Sequence, residues 1–244
     1  MKLLAVDTAT EACSVALMLG DKTDHIFELC PQQQSQRILP MVDEILTRNH
    51  TKISELDGLV YGRGPGSFTG VRIASSTIQG LALGADLQVA EVSTLAAMAQ
   101  ENLEVYGQTD TLALIDARMS EVYCARYVAS ELGLVELYKA DDKSDDKLLL
   151  KEHVLRPELV QQYLGNQHKE MDKAAFVGTG FETYSEQLGQ KLQSIEVKVK
   201  YPNARYMLAI ARSQFEKGLA VPPEQVKPIY VRDEVTWKKL PGRE

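Results

Sequence analysis

The sequence predicts an α/β protein built as two successive sheet-centred lobes, and three observations carry that expectation. Two stretches, "LLAVDTATEACSVALML" (3–19) and "LALIDARMSEVYCARYV" (112–128), share one order of parts: apolar strand, Asp, short polar turn, alternating strand. Asp7 and Asp116 hold the same place in the two, 109 residues apart. Strand–Asp–turn–strand is a common arrangement, so the weight of the echo lies in the two-lobe order it implies. Between and after these stretches, helix-period and strand-period segments alternate. A length of 244 residues suits one compact two-lobed domain or two small ones, either with a real core. The expected division is 1–108 and 109–244.

The elements follow in order. "LLAV" (3–6) is a continuous apolar run that reads as a buried strand. Cys13, Val15, Leu17 and Leu19 alternate with Ser14, Ala16 and Met18, as in a second strand. "GDKTD" (20–24) turns the chain into a third, "HIFELC" (25–30), completing an antiparallel meander. In 35–50, Ile38, Leu39, Val42, Ile45 and Leu46 fall at helical spacing, with Ser35 as the expected N-cap. Pro40 removes a backbone donor there, so this helix starts late or bends in its first turn. "DGLVYG" (57–62) is a strand entering a glycine loop, and 67–87 a helix leaving it. In the second half, 141–147 reads as a charged loop, 156–165 as a helix opened by Pro157, and 174–184 as a strand ending in Gly-Thr-Gly before a helix. The segment 203–218 is a patterned helix closed by Gly218, followed by a Pro-rich tail.

Composition narrows the function class. Apolar residues at 44% and charged ones at 25% are ordinary for a soluble globular protein. No apolar stretch approaches the roughly 18–20 residues that span a bilayer, and Asp7 comes too soon for a signal peptide. Cys13, Cys30 and Cys124 are odd in number and far apart, which fits reduced thiols in a cytoplasmic protein. A net charge of −7, with no lysine from 53 to 138, argues against gripping nucleic acid unaided.

The glycine loop "GRGPGSFTGVRIA" (62–74) fails three motif tests. It lacks the Walker A lysine and the G-x-G-x-x-G spacing. Ser67 follows Gly66 directly, which excludes a nucleophile elbow. On the following helix Ser76, Gly80 and Gly84 recur every four residues, with Val71, Ile78 and Leu81 beside them. Interior helix glycines cost about 1 kcal/mol each relative to Ala, so this stripe needs a reason: packing on its own sheet, or close approach of another chain. His25, His50, His153 and His168 share no metal-ligand spacing. Asp7, Thr8, Thr10, Asp116, Gly178 and Gly180 are the candidates for a nucleotide in a cleft. The plainer readings are turn caps for the aspartates and a tight strand–helix turn for the glycines. Lys227, Arg232, Lys238 and Lys239, with Tyr230 and Trp237, are tail residues that touch RNA or a partner, or simply pack back.

Taken together, "MKLLAVDTATEACSVAL", "LPMVDEIL", "GRGPGSFTGVRI", "VSTL", "IDARMSEVY" and "YVRDEVTWKK" resemble the bacterial TsaB (YeaZ) family from Met1 to about Lys239. The resemblance implies the actin/Hsp70/sugar-kinase-like fold, two ribonuclease-H-like lobes around a cleft. It also implies a part in forming N6-threonylcarbamoyladenosine at position 37 of tRNAs that read codons beginning with A. The partners implied are a catalytic paralogue, TsaD, and an ATPase, TsaE, with tRNA met only through the complex and a homodimer in isolation. No cofactor of the chain's own is implied; ATP or ADP and Mg²⁺ are admitted in the assembled complex. The paralogue's metal-binding His-x-x-x-His pair corresponds here to Thr94 and Met98, neither a substitute for imidazole. Gln34 stands where family members often carry a histidine.

These readings make the chain a non-catalytic partner subunit. Its expected docking surface combines Arg37, Ile38, Met41, Val42 and Ile45 with Val71, Arg72, Ser76, Ile78, Gly80, Leu81 and Gly84. The competing expectation is a nucleotide-binding, ATP-hydrolysing or proteolytic enzyme working through its own cleft.

Overall fold

A computed structural model describes residues 1–137, 151–164, 174–189, 192 and 195–232. The charged segment 141–147 lies outside the described residues, as do His168, Trp237, Lys238 and Lys239. The first lobe opens with the meander: β1 (Lys2–Asp7), β2 (Ala12–Leu19) and β3 (Lys22–Leu29). Helix α1 (Gln34–Arg48), strand β4 (Gly58–Gly62), helix α2 (Phe68–Ala85) and strand β5 (Val89–Val92) complete it. The sheet order is β3-β2-β1-β4-β5, with β1, β4 and β5 parallel. That is the ribonuclease-H-like order the resemblance implies.

Helix α3 (Thr94–Tyr106) leads to β6 (Asp110–Arg118) and β7 (Glu121–Ala129), which pair antiparallel as β1 and β2 do. β8 (Val135–Leu137) and β9 (His153–Leu155) both pair with β7, and β10 (Ala175–Val177) runs parallel to β6. Helices α4 (Pro157–Leu164), α5 (Gly180–Thr183) and α6 (Met207–Glu216) finish the described elements.

Burial explains the layering. One face of the first sheet packs Leu4, Val6, Val15 and Leu59 against Ile38, Met41 and Ile45 of α1 and Ala74 and Ile78 of α2. The opposite face, with Leu3, Ala5 and Val60, meets Met207, Leu208 and Ala211 of α6. Leu95, Met98 and Ala99 of α3 instead join Ala113, Ile115 and Ala125 of the second sheet. The sheets therefore separate between Val92 and Asp110, while the helices cross a division at 108/109: α3 serves the second sheet and α6 returns to the first.

Two local expectations change. The α1 N-cap is Gln33, without a side-chain cap bond, and Ser35 lies inside the helix. Pro40 is also inside, on the exposed side, where solvent satisfies the carbonyl its missing N–H leaves unpaired. Ser67 and Ser93 cap α2 and α3 by accepting from Gly70 N and Ala96 N. Among the described residues no helix is long and apolar enough to cross a membrane.

Candidate functional site

The two echoed turns face one another across a cleft of about 550 Å³ between the lobes. Its walls include Thr10, Glu11, Gln34, Phe68, Thr69, Asp116, Arg118, Tyr123 and Arg232. Residues 118–120 turn with φ near +60° throughout, an uncommon backbone for side-chain-bearing residues. That turn aims Arg118 across the cleft, where it donates to Glu11 Oε1 at 2.7 Å and to Asp116 Oδ2 at 2.8 Å. Asp116 Oδ1 also accepts from Arg118 N and Tyr184 OH, each at 2.8 Å. Three of its roughly four lone-pair sites are taken by protein donors.

The glycine loop lies directly on the first turn. Ser67 N donates to Ala9 O at 2.7 Å, and Thr8 Oγ1 donates to Gly70 O at 2.7 Å. A Cβ at Gly66 would overlap the Ala9 carbonyl, and one at Gly70 the Thr8 carbonyl. The glycines exist for backbone contact between loop and turn. Asp7 is sealed beneath: a Cβ on Gly62 would collide with its Oδ2, an oxygen left buried with no well-formed hydrogen bond. Burial raises the Asp7 carboxyl to about 7, against the Ala9 amide and the neighbouring Thr94 hydroxyl, which favour its charge.

Of the six nucleotide candidates, only Thr10 and Asp116 line the cleft. Asp7 and Thr8 are covered by the loop. Gly178 and Gly180 press against Leu114 of β6, and a Cβ on Gly178 would strike the Leu114 carbonyl. Strand-to-helix packing accounts for both, as in the plainer reading. These residues do not fit a nucleotide with Mg²⁺, because the carboxylates are buried or engaged and the glycines face their own sheet. Thr94 and Met98 are wholly buried, with Met98 Cε against Gly178. Among the described residues no three His, Cys, Asp or Glu side chains gather as a metal site.

The docking candidates divide sharply. Ile38, Met41, Ile45, Val71 and Ile78 are fully buried in their own lobe, and Val42 is nearly so, which corrects their assignment to a partner surface. The apolar stripe of each helix meets the chain's own sheet. Arg37 is held by Glu28 at 2.6 Å. What faces outward is Ser76, Gly80 and Gly84, flanked by half-buried Arg72 and Leu81 and joined by Leu39 and Leu83, which are more than half exposed. Apart from the helix's own backbone, no atom of the described residues lies within 4 Å of a Cβ placed on Gly80 or Gly84. Beside this bare ridge runs a shallow groove of about 630 Å³, lined by Leu39, Val42, Leu46, Ile53 and Leu81. At the other end of α2, Arg72 lies over the ring of Phe68, which is 63% exposed and 5.8 Å from Tyr230 of the tail.

Sequence reasoning missed Glu11, Phe68, Arg118 and Leu39 as surface features. The echo held a signal for the first and third, since both sit in the matching turns, "DTATEA" and "DARMSE".

Comparison with known proteins places these features in context. A family model described as TsaD, tRNA N6-adenosine threonylcarbamoyltransferase, matches residues 28–240. The tRNA threonylcarbamoyladenosine biosynthesis protein TsaB of Escherichia coli K12 is 45% identical, covering 100% of both chains. Its counterpart in Haemophilus influenzae is 42% identical, covering 100% of this chain and 99% of its own. The solved structure of YeaZ from Pseudomonas aeruginosa superposes with a TM-score of 0.79 at 36% identity, covering 94% of this chain and 99% of that one.

Proposed function

We propose, from the premise that this chain belongs to the TsaB (YeaZ) family of tRNA threonylcarbamoyladenosine biosynthesis proteins, that it is the non-catalytic subunit supporting a TsaD-like catalytic paralogue. One observation carries the reading: the exposed ridge of Ser76, Gly80 and Gly84 beside an apolar groove, with open space above both glycines among the described residues. Helix glycines cost stability, and nothing among the described residues packs on these two. A second helix laid along the ridge approaches backbone to backbone, with Leu39, Leu81 and Leu83 as apolar anchors. The cleft supports the same reading from the other side, because its carboxylates are committed to Arg118 and Tyr184. A TsaE-like ATPase joins the assembly, tRNA is met through the complex, ATP or ADP with Mg²⁺ enters only there, and the setting is cytoplasmic. In isolation the same ridge pairs two copies.

Mass measured in solution on a mixture of the chain with TsaD tests this. A 1:1 complex is expected, with modified tRNA formed by the full set and none by this chain alone. Gly80→Arg should weaken the association at least 100-fold while leaving the fold intact, since the new side chain points into open solvent. A complex that survives the substitution would place the docking surface elsewhere. Binding of ATP·Mg²⁺ to the isolated chain by calorimetry would favour the cleft-enzyme reading instead.

A further inference from the structure

Cys13 and Cys30 form a thiol pair that neither the candidate site nor the proposed docking uses. The β2–β3 register sets Cys13 opposite Glu28. Cys30 N donates to Glu11 O at 3.0 Å, so Cys30 prolongs β3 by one paired residue and lies diagonally across from Cys13. Both side chains enter the same apolar cluster beneath α1. Cys13 is wholly buried, while Cys30 is 7% exposed and ends its strand beside exposed Pro31 and Gln32. The third thiol, Cys124, is buried alone in the other lobe.

We propose that Cys13 and Cys30 are a redox-active dithiol that closes to an internal disulfide by exchange with a small-molecule disulfide. Cys30, the outer thiol, loses its proton and attacks one sulfur of the small disulfide, expelling one thiol and leaving a mixed disulfide on Cys30. Burial, the largest influence, holds the Cys30 thiol above its usual range, while the neighbouring Cys13 thiol and Arg37 favour the thiolate and Glu28 opposes it. Cys13 sulfur then attacks the Cys30 sulfur and displaces the second small thiol as a thiolate, which takes up the proton Cys13 gives up. Two electrons pass from the protein thiols to the small disulfide, and two small thiols are released. Diagonal neighbours in a sheet lie about 7–8 Å apart at Cα, just past the roughly 7 Å a disulfide spans. Closure therefore draws in the strand end at Cys30 by about 1 Å. Cys30 can move because it is the last paired residue before a turn. The link ties β2 to the turn from which α1 begins.

The test incubates the folded full chain with oxidised glutathione at pH 8 and reads intact mass and peptide maps. Free thiols should fall from three to one, with a Cys13–Cys30 cross-linked peptide, Cys124 unmodified and full reversal by dithiothreitol. Cys13→Ser, and Cys13→Ala as the variant that keeps the buried site apolar, should each trap glutathione on Cys30. A folded wild-type chain that keeps all three thiols, or that carries glutathione on Cys30 without ever linking to Cys13, overturns the proposal.

Discussion

Asp7 is a carboxyl that the fold keeps from ionising. With its pKa raised to about 7 by burial, the folded chain holds the proton more tightly than the unfolded chain does. The stability that Asp7 contributes is therefore fully present below the ordinary carboxylate range and is lost as pH rises from about 4 to about 7. Holding the carboxyl at about 7 in place of about 4 corresponds to about 4 kcal/mol. Glu101, raised to about 7 by burial and by Glu104, adds a slope of the same sign. Urea unfolding of Asp7→Asn across this range should show the shallower dependence, with the variant more stable than the parent at pH 7.5. Parallel curves would mean that Asp7 ionises freely in the folded chain. The glycines predict opposite outcomes by location. Gly70→Ala drives a methyl into the Thr8 carbonyl and should cost about 2–3 kcal/mol. Gly80→Ala meets nothing and should add up to about 1 kcal/mol. Thermal midpoints of the two variants check both, and a destabilised Gly80→Ala monomer would show that the ridge is used within the subunit.

At the scale of elements, α3 is the joint between the sheets. Ser93 both caps it through Ala96 N and meets the Tyr127 hydroxyl of β7 at 3.1 Å. Losing both bonds in Ser93→Ala should cost about 1–2 kcal/mol, read from urea midpoints, whereas Ser93→Thr should retain most of the cap. Helices α1 and α2 show how far helical periodicity reaches. Most of their apolar residues do share one face, with Leu39 the exception on the exposed side, but period 3.6 says which residues share a face and not what that face meets. Ile38, Met41, Ile45, Val71 and Ile78 meet their own sheet. The outward residues were legible only as an oddity, two glycines where helices prefer none.

Over the whole molecule, the tail after Leu219 straps the lobes together. Val221 bridges to Val89, Lys227 O accepts from Tyr61 OH at 2.9 Å, and Ile229 N donates to Arg63 O at 3.0 Å, all on the first lobe. Arg232 then crosses to the second, bonding Ala117 O and Glu121 at the turn that carries Arg118. Arg232→Ala should leave global stability within about 1 kcal/mol, since a partly exposed pair contributes little. It should nonetheless raise amide exchange in the 117–121 turn at least tenfold. Unchanged exchange there would show that Glu11 and Asp116 suffice to hold the turn. The tail offered no periodicity, and its role depends on contacts with residues more than a hundred positions away.

Local chemistry set down in order along the chain was enough for the meander, the echoed strand–Asp–turn–strand units and the family resemblance. Each depends on neighbours a few residues apart, where alternation, turn residues and helix caps act directly. Three outcomes were settled only by folding: Asp7 and Thr8 vanish under the glycine loop, α3 and α6 exchange lobes, and the helix faces turn inward except for one bare ridge. All three turn on which surfaces meet across long sequence separations. Burial energy is non-directional, so the same apolar stripe is equally satisfied by its own sheet or by another chain, and shape decides between them.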